Sequence, residues 1–120
     1  MYRDFLILGG AGLVGVQTCR HLASAMDPRR IVVASLLERE AREACEILRK
    51  EFGERVAFVP AWGNLFVPRD LANLHRNDIL ADGSRRRRLL DGLYGDFDAA
   101  YSENHLVQML AEHRPEVVVD

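Results

Sequence analysis

The sequence predicts an α/β fold: a parallel β-sheet with helices on both faces. Three observations lead there. Strand-like and helix-like stretches alternate along the chain as β-α-β-α-β-…-α-β, and alternation of this kind builds a parallel sheet through right-handed crossovers. The strand candidates are short and apolar without interruption, as strands covered on both faces are. A glycine cluster stands between the first strand and the first helix, where the backbone must reverse sharply.

The elements follow in order. Phe5-Leu6-Ile7-Leu8 is the first strand, and Gly9-Gly10-Ala11-Gly12-Leu13-Val14-Gly15 follows it. Val16 to Met26 reads as a helix, with Val16, Cys19, Leu22, Ala23 and Met26 at helical spacing. Asp27-Pro28 ends it, because the residue before proline is disfavoured in the α region. Ile31-Val32-Val33-Ala34 is the second strand. Glu38 to Phe52 is a second helix, with Leu37, Ala41, Ala44, Cys45, Leu48 and Phe52 on one stripe and Gly53 at its C-terminal end. Arg55 to Val59 is a third strand, with Pro60 as its stop. A helix over Tyr101 to Glu112 turns Leu106, Val107 and Leu110 inward, Pro115 follows, and Glu116 to Asp120 is the fourth strand. Residues 64 to 100 fit this pattern least. They are polar, and the sequence predicts short helices near Pro68 to His75 and Arg85 to Leu93, with 65–100 as a polar insertion.

Composition narrows the function classes. The chain has 120 residues, room for one small domain, and at 48% apolar and 28% charged it reads as globular rather than disordered. A formal net charge of −2 gives no general attraction to nucleic acid or to an anionic membrane surface. No apolar run approaches the roughly 20 residues of a membrane span. Gly9 and Gly10 cut the first run too short for a secretory signal. The expectation is a cytoplasmic protein. Cys19 and Cys45 are too few for a disulfide framework or a metal site, and both lie on inward helical stripes as small hydrophobes. Lys50 is the one lysine among 16 basic residues, a bias that reads as the mark of a GC-rich genome. The run Arg85-Arg86-Arg87-Arg88 leads into Leu89-Leu90-Asp91, and reads as a solvated helix start or as partners for nearby carboxylates. His105, Glu112 and His113 lack the spacing of a metal site.

A strand, a glycine cluster and a helix form the context of a dinucleotide site. Residues without Cβ let the chain turn and let a pyrophosphate approach the backbone. The helix N-terminus adds free N–H donors and the positive end of its dipole. Gly10, Gly12 and Gly15 give G-x-G-x-x-G, while Gly9, Gly12 and Gly15 give G-x-x-G-x-x-G. The pyrophosphate would meet the backbone N–H groups from Ala11 to Val14.

Gly9-Gly10-Ala11-Gly12-Leu13-Val14-Gly15 resembles the loop of the extended short-chain dehydrogenase/reductase family, which includes the NAD-dependent sugar-nucleotide epimerases and dehydratases. Arg114 to Asp120 resembles that family's fourth strand with its lead-in, and Trp62-Gly63-Asn64-Leu65 falls where the family has Gly-Asp after its third strand. The resemblance implies a Rossmann-like NAD(P)-binding domain over 1–120, with Gly9, Gly10, Ala11, Gly12, Leu13, Val14 and Gly15 at the pyrophosphate. The family places an acid at the end of the second strand for the adenosine ribose. Here Ser35 stands about 20 residues beyond Gly15. Serine leaves room for a 2′-phosphate, and Arg39 one turn later could pair with it, so NADP is preferred over NAD. Glu38 is the competing residue, as a displaced ribose ligand. Asn64 replaces the family's adenine-contacting aspartate and is an adenine candidate or a turn residue. Trp62 is either packing or a cover for the adenine edge.

The same resemblance exposes what is absent. The family's catalysis uses a tyrosine with a lysine four residues later. Tyr2, Tyr94 and Tyr101 are followed at that distance by Leu6, Asp98 and His105, so no catalytic residue is assigned. The expectation is the N-terminal part of a longer enzyme, ending after its fourth strand, which in full-length form takes a small-molecule substrate. Residues 65–100 are then an insertion at the cofactor edge or a homo-oligomer contact. Two other resemblances compete: non-catalytic NADP-sensing regulators, which keep the loop without the tyrosine, and NADP-dependent reductases of the saccharopine-reductase type, whose Ser-Arg pair is half present as Ser35-Leu36.

Overall fold

A computed structural model of the chain describes every residue from Met1 to Asp120. In chain order the elements are β1 (Asp4–Leu8), α1 (Leu13–Ala25), β2 (Arg30–Ser35), α2 (Glu38–Phe52), β3 (Ala57–Trp62), α3 (Arg76–Ala81), α4 (Gly83–Tyr94), α5 (Phe97–Glu103), α6 (His105–His113) and β4 (Val117–Val119). They divide into two compact units, Met1–Trp62 with His113–Asp120, and Gly63–Glu112.

The first unit holds the predicted α/β architecture. Its four strands are all parallel in the order β3-β2-β1-β4, a Rossmann-like arrangement flanked by helices. The first three strands step to one side of β1, and β4 returns to the other side, so the order reverses at β1. Alternation explains the core. Phe5, Ile7, Ile31, Val33 and Phe58 point to one face, where they pack with Cys19 and Ala23 of α1 and Ala44, Cys45 and Leu48 of α2. Leu6 and Val32 point to the opposite face and are fully buried as well. α2 carries Glu38 and Glu40 in its first turn and Arg49 and Lys50 in its last, matching the helix dipole at both ends.

Two details fasten the sheet. The Glu116 carboxylate accepts from the N–H groups of Arg3 (2.9 Å) and Asp4 (3.0 Å), and the Glu116 N–H donates to the Asp4 carbonyl (2.9 Å). The lead-in to β4 is thereby pinned to the start of β1. Asp4 itself is buried, and its carboxylate is paired with Arg29 and Arg30.

Pro60 does not stop the third strand. It lies inside β3, opposite Val33. The reason is that β3 is an edge strand. Ala57 donates its N–H to Arg29, so by alternation Ala61 faces β2 as well, while Pro60, which has no N–H, faces outward where none is needed.

The second unit has a small core of its own, Val67, Leu71, Ala72 and Ile79, with Leu74 and Leu89 against it. The helix predicted over Pro68 to His75 is only a single tight turn, Arg69–Leu71. The helix predicted over Tyr101 to Glu112 is broken at Asn104, whose backbone is extended (φ −62°, ψ 135°) and ends α5. Its side-chain oxygen then accepts from the Val107 N–H at 3.0 Å and caps α6. Within α6 the buried positions are His105 and Met109, while Leu106, Val107 and Leu110 are half-buried. α3 has no counterpart among the predicted helices, α5 is met only in its last three residues by the predicted Tyr101 to Glu112, and α4 contains the predicted Arg85 to Leu93.

Candidate functional site

The glycine cluster forms the turn from β1 into α1. Gly9 has φ +68°, a conformation costly for a residue with a side chain. The Gly10 N–H donates to the Ala34 carbonyl at 2.9 Å, tying the loop to the end of β2. A Cβ on Gly15 would lie 2.1 Å from the Gly9 carbonyl oxygen, so the first turn of α1 rests directly on the loop backbone. Gly12 is different. Its φ of −76° suits any residue, and a Cβ there would meet only the Gly9 oxygen, at an ordinary 3.4 Å. The loop's own packing therefore gives no reason for glycine at position 12.

Gly12 is the N-cap of α1, and no side chain caps that end. No acidic residue stands in the first turn. The Gly12 N–H is taken by the Gly9 carbonyl (3.1 Å), and the first helical bond runs from Val16 to Gly12 (2.9 Å). This leaves the N–H groups of Ala11, Leu13 and Val14 without an acceptor within the protein. Leu13 and Val14 project their side chains into solvent, at 93% and 80% exposure, so their size does not close the loop. The loop sits at the carboxyl end of β1, where the strand order reverses. In open α/β sheets that is the place for a ligand.

Ser35 ends β2, next to Ala34, which binds the loop. Its hydroxyl donates to Glu40 Oε2 at 3.0 Å. A carboxylate is thus held at the end of β2, from a residue neither spacing nor resemblance selected. Arg39 instead pairs with Glu43 at 4.0 Å along the exposed side of α2. Glu38 is engaged by Arg42 at 2.7 Å. Trp62 stands beside Ser35 in the β2–β3 register. The Arg42 guanidinium lies 4.8 Å from the centre of its ring, a cation–π contact that holds one face of the indole.

Asn64 belongs to the second unit. Its side-chain oxygen accepts from the Phe66 N–H at 2.9 Å and its own N–H donates to Ala72 at 2.8 Å, which is the turn role. Another polar contact in that unit has no local signal in the sequence: His105 is buried and its Nδ1 accepts from Arg69 Nε at 3.2 Å. Arg69 also pairs with Glu112. The partners stand 36 and 43 residues apart in sequence, beyond any local signal. Arginines of the 85–88 run are occupied locally. Arg85 and Arg86 donate to the carbonyls of Asp78 and Leu80, Arg87 pairs with Asp91, and Arg88 with Asp70 and Glu103.

Burial pushes the Cys19 thiol up to about 12 and the Cys45 thiol up to about 11, so neither is a nucleophile at neutral pH. A groove lined by Arg49, Gly53, Glu54, Val56, Ala57 and Phe58 lies at the amino end of β3, the wrong end of the strands for a ligand of this fold. No helix is long and apolar enough to cross a membrane. Among known proteins no family model matches the chain, and no curated protein or solved structure is significantly similar to it.

Proposed function

We propose that residues Gly9–Gly15 bind the pyrophosphate of a nicotinamide dinucleotide, and that the chain is the dinucleotide-binding portion of an NAD(P)-dependent oxidoreductase or sugar-nucleotide epimerase/dehydratase-like enzyme. The observation that carries this reading is Gly12. Its glycine is needed neither for backbone conformation nor for packing, yet it stands at an uncapped helix start at the reversal point of the sheet. A phosphate drawn close to the backbone supplies the missing reason. Free N–H groups of Ala11, Leu13 and Val14 and the helix dipole would hold it.

The Ser35–Glu40 contact supports NAD rather than NADP. A carboxylate at the end of β2 accepts from both ribose hydroxyls and repels a 2′-phosphate. The preference for NADP rested on Ser35 acting with Arg39, and Arg39 is turned toward Glu43. Trp62, braced on one face by Arg42, would flank the adenine. The bound dinucleotide supplies hydride transfer. The residues of this chain bind and orient it, and no tyrosine precedes a lysine by four positions.

Nicotinamide fluorescence tests the reading. The full chain should bind NADH with a dissociation constant near the micromolar range, about −8 kcal/mol, and NADPH at least about tenfold more weakly. Glu40→Gln should erase that difference. Absence of NADH and NADPH binding by a folded chain would overturn the proposal. Tighter binding of NADPH would return the choice to Ser35 and Arg39.

A further inference from the structure

We infer that the α4–α5 hairpin is a docking face for a second copy of this chain, joined antiparallel about a two-fold axis. Neither helix buries a single residue. Leu90, Leu93 and Tyr94 share one side of α4 by helical spacing. Phe97 and Tyr101 of α5 stack on each other with centroids 5.8 Å apart. Tyr94 and Phe97, on either side of the turn, are 83% and 75% exposed. Scattered apolar side chains on a surface need no explanation, but an aromatic tip left in solvent while Leu89 of the same hairpin packs against the unit's core does.

The hairpin is held in shape. Arg88 of α4 pairs with Glu103 at the end of α5 (2.7 Å) and with Asp70 (3.2 Å). Contact between the middle of α4 and the last residue of α5, across a two-residue turn, makes the two helices antiparallel. A surface ordered in advance loses little conformational freedom on binding.

Charge selects the occupant. The open end of the hairpin carries Arg85, Arg86 and Arg87. The tip carries Asp96 and Asp98 beside Tyr94 and Phe97, and Leu90 and Tyr101 lie between the tip and the arginines, whose end also holds Asp82 and Glu103. Asp96 uses one oxygen to cap α5, accepting from the Ala99 N–H, and Arg87 has only Asp91 of its own helix, at 3.5 Å. A strip that is basic at one end and acidic at the other is complementary to itself when a second strip runs the opposite way. An isologous contact has that symmetry. Arg87 of one copy then faces Asp98 of the other, twice, which puts Leu90 and Tyr101 nearest the axis and Tyr94 and Phe97, residue types that dominate interface energetics, on either side of it. A polyanion would be met by the arginines and repelled by the tip.

Sedimentation velocity on the full chain, up to its highest soluble concentration, tests this. The expected result is a concentration-dependent dimer that Phe97→Ser weakens by at least about tenfold. Arg87→Glu and Asp98→Arg should each yield monomers, because every cross-pair becomes like-charged. Mixing the two variants should restore a heterodimer, because every cross-pair is then opposite. Far-UV circular dichroism and an unchanged NADH titration keep a folding or cofactor defect apart from an interface defect. A chain that is monomeric at all concentrations, a dimer indifferent to these substitutions, or a mixture that stays monomeric would overturn the inference.

Discussion

Gly12 and Gly15 stand three residues apart and are glycine for different reasons. A side chain at Gly15 would collide with the backbone of Gly9 and Gly10, so Gly15→Ala should lower stability by about 1–3 kcal/mol or more, read as a drop in the urea midpoint. Gly12→Ser should hold or raise stability by a few tenths of a kcal/mol, because serine is a good N-cap. It should nonetheless cut NADH affinity at least about tenfold, since its hydroxyl takes the donors a phosphate needs. A Gly12→Ser variant that binds NADH as the parent does would remove the main support for the loop's assignment. The two thiols offer a second check. Cys19 and Cys45 are buried together in the core, so a thiol reagent at pH 8 should modify neither until the unit unfolds, and then both. At this scale the loop was legible from spacing alone. The partner of Ser35 was not. Glu38, Arg39 and Glu40 are consecutive, each turned about 100° from the last, and the packing angle of α2 on the sheet decides which of them reaches Ser35.

The long elements that face the core of the first unit were legible; in the second unit α4 was read although it buries no residue, and the short α3 was missed although it buries Ile79. α1 and α2 show their stripes in the sequence because the core of the first unit selects them. α5 has no buried residue, so hydrophobic periodicity carries no signal of its existence or of its end. The break at Asn104 shows the same limit. Apolar spacing runs on through it, and the side chain interrupts the helix by capping the next one. Asn104→Ala should remove that cap at a cost of about 1 kcal/mol. It should also speed amide exchange at Val107 while leaving β1 and β2 protected, a contrast that exchange mass spectrometry resolves. Pro60 teaches a related lesson. Proline reads as a strand stop only until the strand order is known, and strand order depends on contacts between residues far apart in sequence.

Across the whole molecule, the buried Asp4 carboxylate couples the sheet to pH. The hydrogen bond from Arg29 holds its carboxyl below the ordinary carboxylate range, with the charges of Arg29, Arg30 and Arg3 acting in the same sense against burial. A carboxyl depressed in the folded state stabilises it fully above the unfolded value, about pH 4. That stabilisation is lost as pH falls through the lower folded value. Thermal melts should therefore show an acid decline below about pH 4, smaller in Asp4→Asn than in the parent. Asp4→Asn should also be less stable at neutral pH, since Arg29 and Arg30 lose their partner. The α/β class and the parallel sheet could be read from alternation alone, because each strand and helix of the first unit answers to one core. The second unit, built on four buried apolar residues and long-range ion pairs, left no such pattern.

An amide-resolved NMR titration of the full chain with NADH puts the loop's assignment to the test. The largest shifts are expected on Ala11, Gly12, Leu13 and Val14, with a second set at Ser35, Glu40 and the Trp62 indole. Shifts confined to other residues, or none at saturating NADH, would contradict that assignment.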